Sequence, residues 1–138
     1  LELGLPALAS LERILVTHHH PDHFGMAARL ADARGLEVRM SVPAAAAARP
    51  DPAGPESYAR RIAAFADHVG LELAPEFGEF LSGSRYRTVI SGLPRLGAPL
   101  EEGEQIPTRA GRFSVSLHHG HAPGHACLHA ADTGLLIS

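Results

Sequence analysis

Six consecutive residues, His18-His19-His20-Pro21-Asp22-His23, constrain this chain more than any other feature of its sequence. They follow a short segment, 13–17, whose aliphatic and β-branched residues predict a buried strand. Imidazole nitrogens and carboxylate oxygens are ligands that suit zinc and neighbouring transition metals. A strand that ends in a loop holds such side chains where they can converge. The spacing therefore predicts a metal site built from His18, His20, Asp22 and His23, and we assign no role to His19.

The histidines of the chain are clustered rather than scattered. Of ten, four lie in residues 18–23 and five in residues 118–129, and only His68 lies elsewhere. Clustering matters more than number, because a metal site needs several neutral imidazoles that converge. This distribution favours a metal site over a set of ordinary surface histidines.

The segments around the histidine run predict an α/β pattern. Pro21 suits the first turn of a helix, which we expect to continue to about Arg34 and to end at Gly35. Residues 36–40 alternate with period two and predict a second strand. A strand, a loop, a helix and a strand in this order begin a layered α/β fold.

The middle of the chain predicts helices. The alanine run within residues 43–55 predicts a short helix, residues 57–69 an amphipathic one, and residues 75–81 another short one. We interpret the apolar stripe of the second helix as core packing, and its residues are Tyr58, Ile62, Phe65 and Val69. We expect one domain over residues 1–138, with this helical region, about 43–95, as an insert.

The last third of the chain predicts strands. Residues 91–111 are rich in glycine and proline and predict turns. Residues 113–117 alternate cleanly and predict a strand. Two more strands are expected at 126–130 and 135–138, joined by a turn at 132–134.

The segment from Thr17 to Gly25 resembles the metal-binding motif of the metallo-β-lactamase superfamily, and the segment from Gly120 to Leu128 resembles that family's second metal segment. The resemblance runs from about residue 11 to the end and is weak over 43–95. It implies an α/β (α+β) fold, a four-layer αββα sandwich with the metals at one edge of the sheets. It also implies strands before Leu1, and a bridging aspartate and a last histidine ligand after Ser138. We therefore expect a fragment that is incomplete at both ends.

The same resemblance implies a zinc centre with two ions, and iron or manganese is compatible with the same ligands. His18 and His20 would share one ion with a histidine of the second segment. Asp22 and His23 would bind the other ion. Asp22 is also the expected catalytic residue, because it would orient the nucleophile as well as bind metal.

Two histidines of the second segment compete for the place of third ligand. Pro123-Gly124-His125 resembles the family's Pro-Gly-His and would make His125 the ligand, whereas the alternative match, Gly120-His121, selects His121. Register favours His121, because in the family the second histidine leads directly into a strand, as His125 does here. His125 is then expected to hydrogen-bond or orient a ligand. The other histidines of this region are interpreted as surface or strand residues: His118, His119 and His129.

The resemblance implies a hydrolase in which a metal-bound hydroxide attacks the carbonyl of an ester, thioester, lactone or amide. Two alternatives stay open. One is a member of the same superfamily that holds a single iron ion and oxidises sulfur compounds, and the other is a metal-binding domain without catalysis. The expected partner is a small-molecule substrate, and a homo-oligomer is left open.

Composition argues against other partners. The formal net charge of −3 provides no basic surface for nucleic acid. No segment of the sequence reaches the roughly 18 consecutive apolar residues that a membrane span needs, so no membrane partner is expected. Cys127 is the single cysteine and is interpreted as a small buried residue of a strand. Because it cannot form an internal disulfide, a reducing compartment, the cytoplasm, is favoured.

Overall fold

The structure is a computed structural model that describes residues 9–50, 52–54, 56–74 and 89–138. Its helices and strands follow one another along the chain as β1 (Ile14–Leu15), α1 (Pro21–Phe24), α2 (Ala27–Arg34), β2 (Val38–Arg39), α3 (Val42–Ala47), α4 (Ser57–His68), β3 (Gln105–Thr108), β4 (Gly111–His118), β5 (His125–Ala130) and β6 (Leu135–Ile137).

The first sheet holds the strand that leads into the histidine run. β1 and β2 pair in parallel, with Ile14 opposite Val38. Parallel neighbours need a crossover connection, and α1 and α2 supply it. Val38 and Met40 are buried in one cluster with Phe24 of α1 and Val16, which follows β1. Burial on this scale fixes the end of β1, from which the histidines project.

The second sheet is antiparallel, in the order β3-β4-β5-β6. Alternate residues of its strands, among them Phe113, Val115 and Leu128, form a second buried cluster, against which Leu15 of β1 packs. The Ala126 N–H donates a hydrogen bond to the Thr17 carbonyl, at 2.8 Å. The start of β5 is thereby held beside the end of β1, which brings the two histidine-rich segments together.

The predicted combination of helices with sheets, and so the α/β fold class, is confirmed. Gly35 ends α2 as predicted, with a φ of 63° and its N–H bonded to carbonyls of the last turn. The helix predicted from Pro21 to about Arg34 is in two pieces, α1 and α2. Gly25 lies in the break, where the Ser91 N–H donates to its carbonyl at 2.7 Å. A Cβ at position 25 would lie only 2.9 Å from the Val89 carbonyl oxygen. The close approach of residues 89–91 therefore requires a glycine at position 25.

The interpretation of the α4 stripe as core packing is wrong, although the helix itself is confirmed. Phe65 is 61% exposed, and Tyr58 and Val69 are about half exposed. The residues of α4 that are buried are Ser57 and Ala66. Helical periodicity identified the apolar face, but it carries no information about which face the rest of the chain covers.

Two further predictions about the last third are corrected. Residues 105–108, expected as turns, form β3, because pairing of Ile106 with Phe113 of β4 outweighs the low strand propensity of Pro107. Pro107 is tolerated because β3 is an edge strand of this sheet. Cys127 is half-buried rather than buried, since it lies on the face of β5 opposite to buried Leu128.

Some expectations stay predictions. The helix expected at 75–81 lies outside the described residues. The single domain over 1–138 with an insert at 43–95 also stays a prediction. Across the ranges that the structure describes, no helix is both long enough and apolar enough to span a membrane.

Candidate metal centre

His18 is the centre of a cluster of imidazoles at the end of β1. Its side chain is 1% exposed. Four other rings lie around it, with centroid distances of 4.7 Å to His20, 4.2 Å to His23, 4.8 Å to His121 and 4.4 Å to His125. The two segments that the sequence predicted to share a site therefore meet in the structure.

Three of these rings form a nearly equilateral triangle. The centroids of His18, His20 and His121 are 4.7, 4.8 and 4.7 Å apart, and the ring planes cross at 76°, 82° and 82°. The Nε2 atoms of His18 and His121 lie 3.2 Å apart. Two nitrogens bound to one tetrahedral zinc ion at 2.0–2.1 Å are about 3.3 Å apart, so this pair has the spacing that such an ion requires.

His125 lies in the same cluster. One ligand nitrogen of each of His18, His121 and His125 falls within 4.8 Å of the other two, a grouping that could hold a metal ion. The His125 Nε2 atom is buried and has no hydrogen-bond partner among the residues described. A buried nitrogen in this state is costly unless it meets a partner, and a bound ion or its water would be one. Both histidines that compete for the third ligand position are thus present. His121 completes the triangle of ring centroids with His20, and His125 joins the group of converging ligand nitrogens, so the choice between them stays a prediction.

Asp22 and His23 lie at the rim of the cluster, in α1. Pro21 begins this helix directly after His20, and the turn brings Asp22 Oδ2 within 3.5 Å of His23 Nε2. The Asp22 side chain is 77% exposed, whereas that of His23 is 36% exposed. The His23 ring packs against that of His18, with centroids 4.2 Å apart, whereas the Asp22 carboxylate is open to solvent, and their role as ligands of a second ion stays a prediction.

Burial keeps the inner histidines neutral. It is the largest cause that lowers the pKa of His18 to about 4, followed by the positive charges that His23 and His125 would carry. Burial also lowers the pKa of His20 and that of His125, with repulsion from His121 as the next cause in both. Metal ligation needs neutral imidazole, so the lowered pKa of His18, His20 and His125 favours the protonation state that a ligand has.

The loop that carries His121 and His125 is held by Ser41. Ser41 is fully buried and caps the N-terminus of α3, since its hydroxyl accepts a hydrogen bond from the Ala44 N–H at 3.2 Å. The same hydroxyl donates to the Gly124 carbonyl. Gly124 has a φ of 63°, and a Cβ there would collide with Ser41 Oγ and lie 2.8 Å from the Pro43 Cβ. The loop is therefore fixed on one side by α3 and on the other by the Ala126–Thr17 bond.

Thr17 contacts two histidines of the cluster at once. Its Oγ1 lies 3.0 Å from His18 Nδ1 and 3.2 Å from His23 Nδ1, both within hydrogen-bond distance. Neither Thr17 nor Ser41 was singled out from the sequence. Ser41 carries a recognisable signal, a serine two residues before a proline at a helix start. Thr17 carries none, because its second partner is six residues away and α1 alone brings it back.

His19, to which no role was assigned, packs on the rim with its ring 4.8 Å from that of His20. His118 and His119 are exposed, and they bond locally, His118 Nε2 with Ser116 Oγ at 3.0 Å and His119 Nδ1 with the Gly124 N–H at 3.3 Å. His129 is exposed on β5.

The fold and the cluster define a mixed α/β protein with a partly buried histidine group that could hold a metal ion at the junction of two sheets. A family model, the metallo-beta-lactamase superfamily, matches residues 7–138. The chain belongs to this superfamily. No curated protein matches it.

Solved structures agree with this membership. A beta-lactamase domain protein from Burkholderia ambifaria is 28% identical with a TM-score of 0.67, over 93% of this chain and 36% of that protein. A metallo-beta-lactamase family protein from Thermus thermophilus is 26% identical with a TM-score of 0.60, over 94% and 40%. TTHA1623, crystallised in a di-iron-bound form, is 25% identical with a TM-score of 0.50, over 90% and 46%. The chain thus spans less than half the length of each of these proteins.

Proposed function

We propose that the protein is a metal-dependent hydrolase that attacks the carbonyl carbon of a small-molecule ester, thioester, lactone or amide and cleaves its acyl C–O, C–S or C–N bond. The observation that carries the proposal is the triangle of His18, His20 and His121, with Asp22 and His23 beside it. Membership of a superfamily composed mostly of metallo-hydrolases supports it.

The donor set fits a metal centre. It consists of imidazoles, one pair of which has the spacing of a shared ion, and a nearby carboxylate. His18, His20 and His121 would hold one ion, and Asp22 and His23 would contribute to a second. A bound metal would supply Lewis acidity, which activates water at neutral pH and stabilises negative charge on a carbonyl oxygen. Zinc is the proposed metal, and the di-iron form of TTHA1623 supports iron as the competing occupant.

The residues themselves divide the remaining tasks. His18 is buried and fixes the position of the centre, whereas His121 is exposed and opens it to a small molecule. The Asp22 carboxylate, also exposed, accepts hydrogen bonds and is placed to orient a water molecule and take up its proton. His125 would orient a ligand or its water through the buried Nε2 atom. We propose the cytoplasm as location, since the single Cys127 forms no internal disulfide.

Metal content and turnover test the proposal together. The protein, purified without chelators, should contain near-stoichiometric zinc or iron and should hydrolyse at least one class of a panel of esters, thioesters, lactones and amides. His18→Ala combined with His20→Ala should remove both properties, while His68→Ala in α4 should retain both. A metal-free protein, or unchanged hydrolysis in the double variant, would refute the proposal. Bound iron, together with oxygen consumption on a persulfide, would favour the sulfur-oxidising alternative. Bound metal without turnover of any substrate would favour a non-catalytic metal-binding domain.

A further inference from the structure

The hydroxyl of Thr17 lies between histidines that belong to different halves of the centre. His18 is part of the imidazole triangle, whereas His23 pairs with Asp22 at the rim. Thr17 Oγ1 is within hydrogen-bond distance of the Nδ1 atom of each, at 3.0 and 3.2 Å. Both contacts use the nitrogen that faces away from the metal position, since His18 Nε2 faces His121 and His23 Nε2 faces Asp22.

A neutral imidazole carries one proton, on Nδ1 or on Nε2, and only the other nitrogen can bind a metal. A hydroxyl oxygen has two lone pairs, so Thr17 can accept a hydrogen bond from both Nδ1–H groups at once. That arrangement leaves both Nε2 atoms free. If Thr17 instead donated to either Nδ1, that ring would carry its proton on Nε2 and would be blocked as a ligand.

We propose that Thr17 is a positioning residue whose single hydroxyl holds His18 and His23 in the Nδ1–H tautomer and thereby presents Nε2 of each to the two halves of the metal centre. This inference rests on the proposed metal centre. It adds that Thr17 links the two proposed metal positions, one at His18 and one at His23.

The surroundings of Thr17 suit this role. Its side chain is buried, so water does not compete for the hydroxyl. Its carbonyl accepts the bond from the Ala126 N–H, which follows His125 directly. The β-branched side chain has few χ1 rotamers, which keeps the hydroxyl directed at the two rings. One residue thus contacts both histidine segments, through its backbone and through its side chain.

The tautomers can be measured without metal and without activity. In metal-free wild-type protein at mildly alkaline pH, two-bond ¹H–¹⁵N correlations of the imidazoles should show His18 and His23 with the proton on Nδ1. Thr17→Val, which keeps the shape and removes the hydroxyl, should shift at least one ring to the Nε2–H form. Thr17→Ser should retain the wild-type tautomers.

Zinc titration provides the second measurement. Thr17→Val should weaken zinc binding by about 10–100-fold, the usual cost of losing a group that orients a ligand, and Thr17→Ser should restore most of it. Thr108→Val is the matched control, because its hydroxyl also makes two hydrogen bonds, one donated to the Gly111 carbonyl and one accepted from the Ala110 N–H, and neither partner is a histidine. It should bind zinc as the wild type does.

Wild-type rings protonated on Nε2, or a Thr17→Val protein with unchanged tautomers and affinity, would overturn the proposal for Thr17. If Thr17→Val does not fold, the proposal is tested by the tautomers of the wild-type protein and by the zinc affinity of Thr17→Ser. A wild-type protein that binds no metal would refute the proposed function instead, and the tautomer measurement would be unaffected by that result.

Discussion

At His18, burial and the neighbouring imidazoles oppose protonation together, and this destabilises the folded state at acid pH. The pKa falls from 6.5 to about 4 on folding. Between these values the unfolded chain binds a proton that folded His18 does not, so the free energy of unfolding of the metal-free protein rises with pH. The free energy of unfolding is therefore highest above pH 6.5. It decreases by about 3 kcal/mol as the pH falls towards 4.

Denaturant unfolding of the metal-free protein across this pH range checks the prediction. His18→Gln should flatten the pH dependence, whereas His68→Gln on the surface of α4 should keep the wild-type slope. The same slope in His18→Gln and wild type would mean that His18 does not carry the effect.

The cluster at His18 also shows what single residues reveal before a structure exists. The convergence of the two histidine-rich segments could be expected: residue types and spacing identified His18 and His20, and the family resemblance favoured His121 over His125 as their partner. The roles of Thr17 and Ser41 could not. Each acts through a hydroxyl whose partner is brought close by a turn or by tertiary packing, and hydroxyl residues at similar positions usually bond only to local backbone.

Among the elements, the loop before β5 depends on a glycine for space as well as for backbone conformation. Gly124 and Gly134 have similar φ values, 63° and 69°. A Cβ at Gly134 would meet nothing within 4 Å, whereas one at Gly124 would collide with Ser41 and crowd Pro43. Gly134→Ala should therefore cost about 1–2 kcal/mol, the strain of a left-handed alanine. Gly124→Ala should cost more and should also weaken metal binding, because it displaces His121 and His125.

Equilibrium unfolding and zinc titration of the two variants separate these effects. Equal destabilisation of Gly124→Ala and Gly134→Ala, with zinc binding intact in both, would contradict the role of the Ser41–Gly124 contact.

Helix α4 provides a second matched pair. Phe65 is 61% exposed on α4, and Phe24 is 1% exposed in the core beneath β1 and β2. Phe24→Ala should cost about 3–5 kcal/mol, because it leaves a cavity in packed surroundings. Phe65→Ala should change stability by no more than about 0.5 kcal/mol, as exposed substitutions usually do. A large loss at Phe65, measured by denaturant unfolding, would restore the core interpretation of the stripe.

Helix α4 also shows which properties of an element the sequence predicts and which it does not. Its residues have strong helical periodicity, so its existence and bounds followed from the sequence. Coverage of its apolar face is a tertiary property that periodicity does not contain. β3 is the reverse case: Pro107 and the nearby glycines predicted turns, and the strand exists because Phe113 of β4 lies opposite Ile106.

For the whole molecule, the candidate centre is where the two sheets are joined. His18 and His20 follow β1 of the first sheet, and His121 precedes β5 of the second. His18 and His121 are 103 residues apart along the chain, yet their Nε2 atoms are 3.2 Å apart. A ligand that binds both must therefore favour the state in which the sheets are packed together.

Metal binding should consequently stabilise the whole fold and not only the loops. At a free zinc concentration of 100 times Kd, binding to the folded state alone adds about 2.7 kcal/mol to the free energy of unfolding. Thermal unfolding of wild type should shift upward with zinc and return on chelation. His121→Ala should lose most of this shift, because only ligands from the first sheet and His125 remain, while exposed His129→Ala, also on the second sheet, should keep it. An equal zinc-dependent shift in His121→Ala and wild type would show that His121 does not hold the ion, and the same titration of His121→Ala combined with His125→Ala would show whether the ion joins the two sheets through His125.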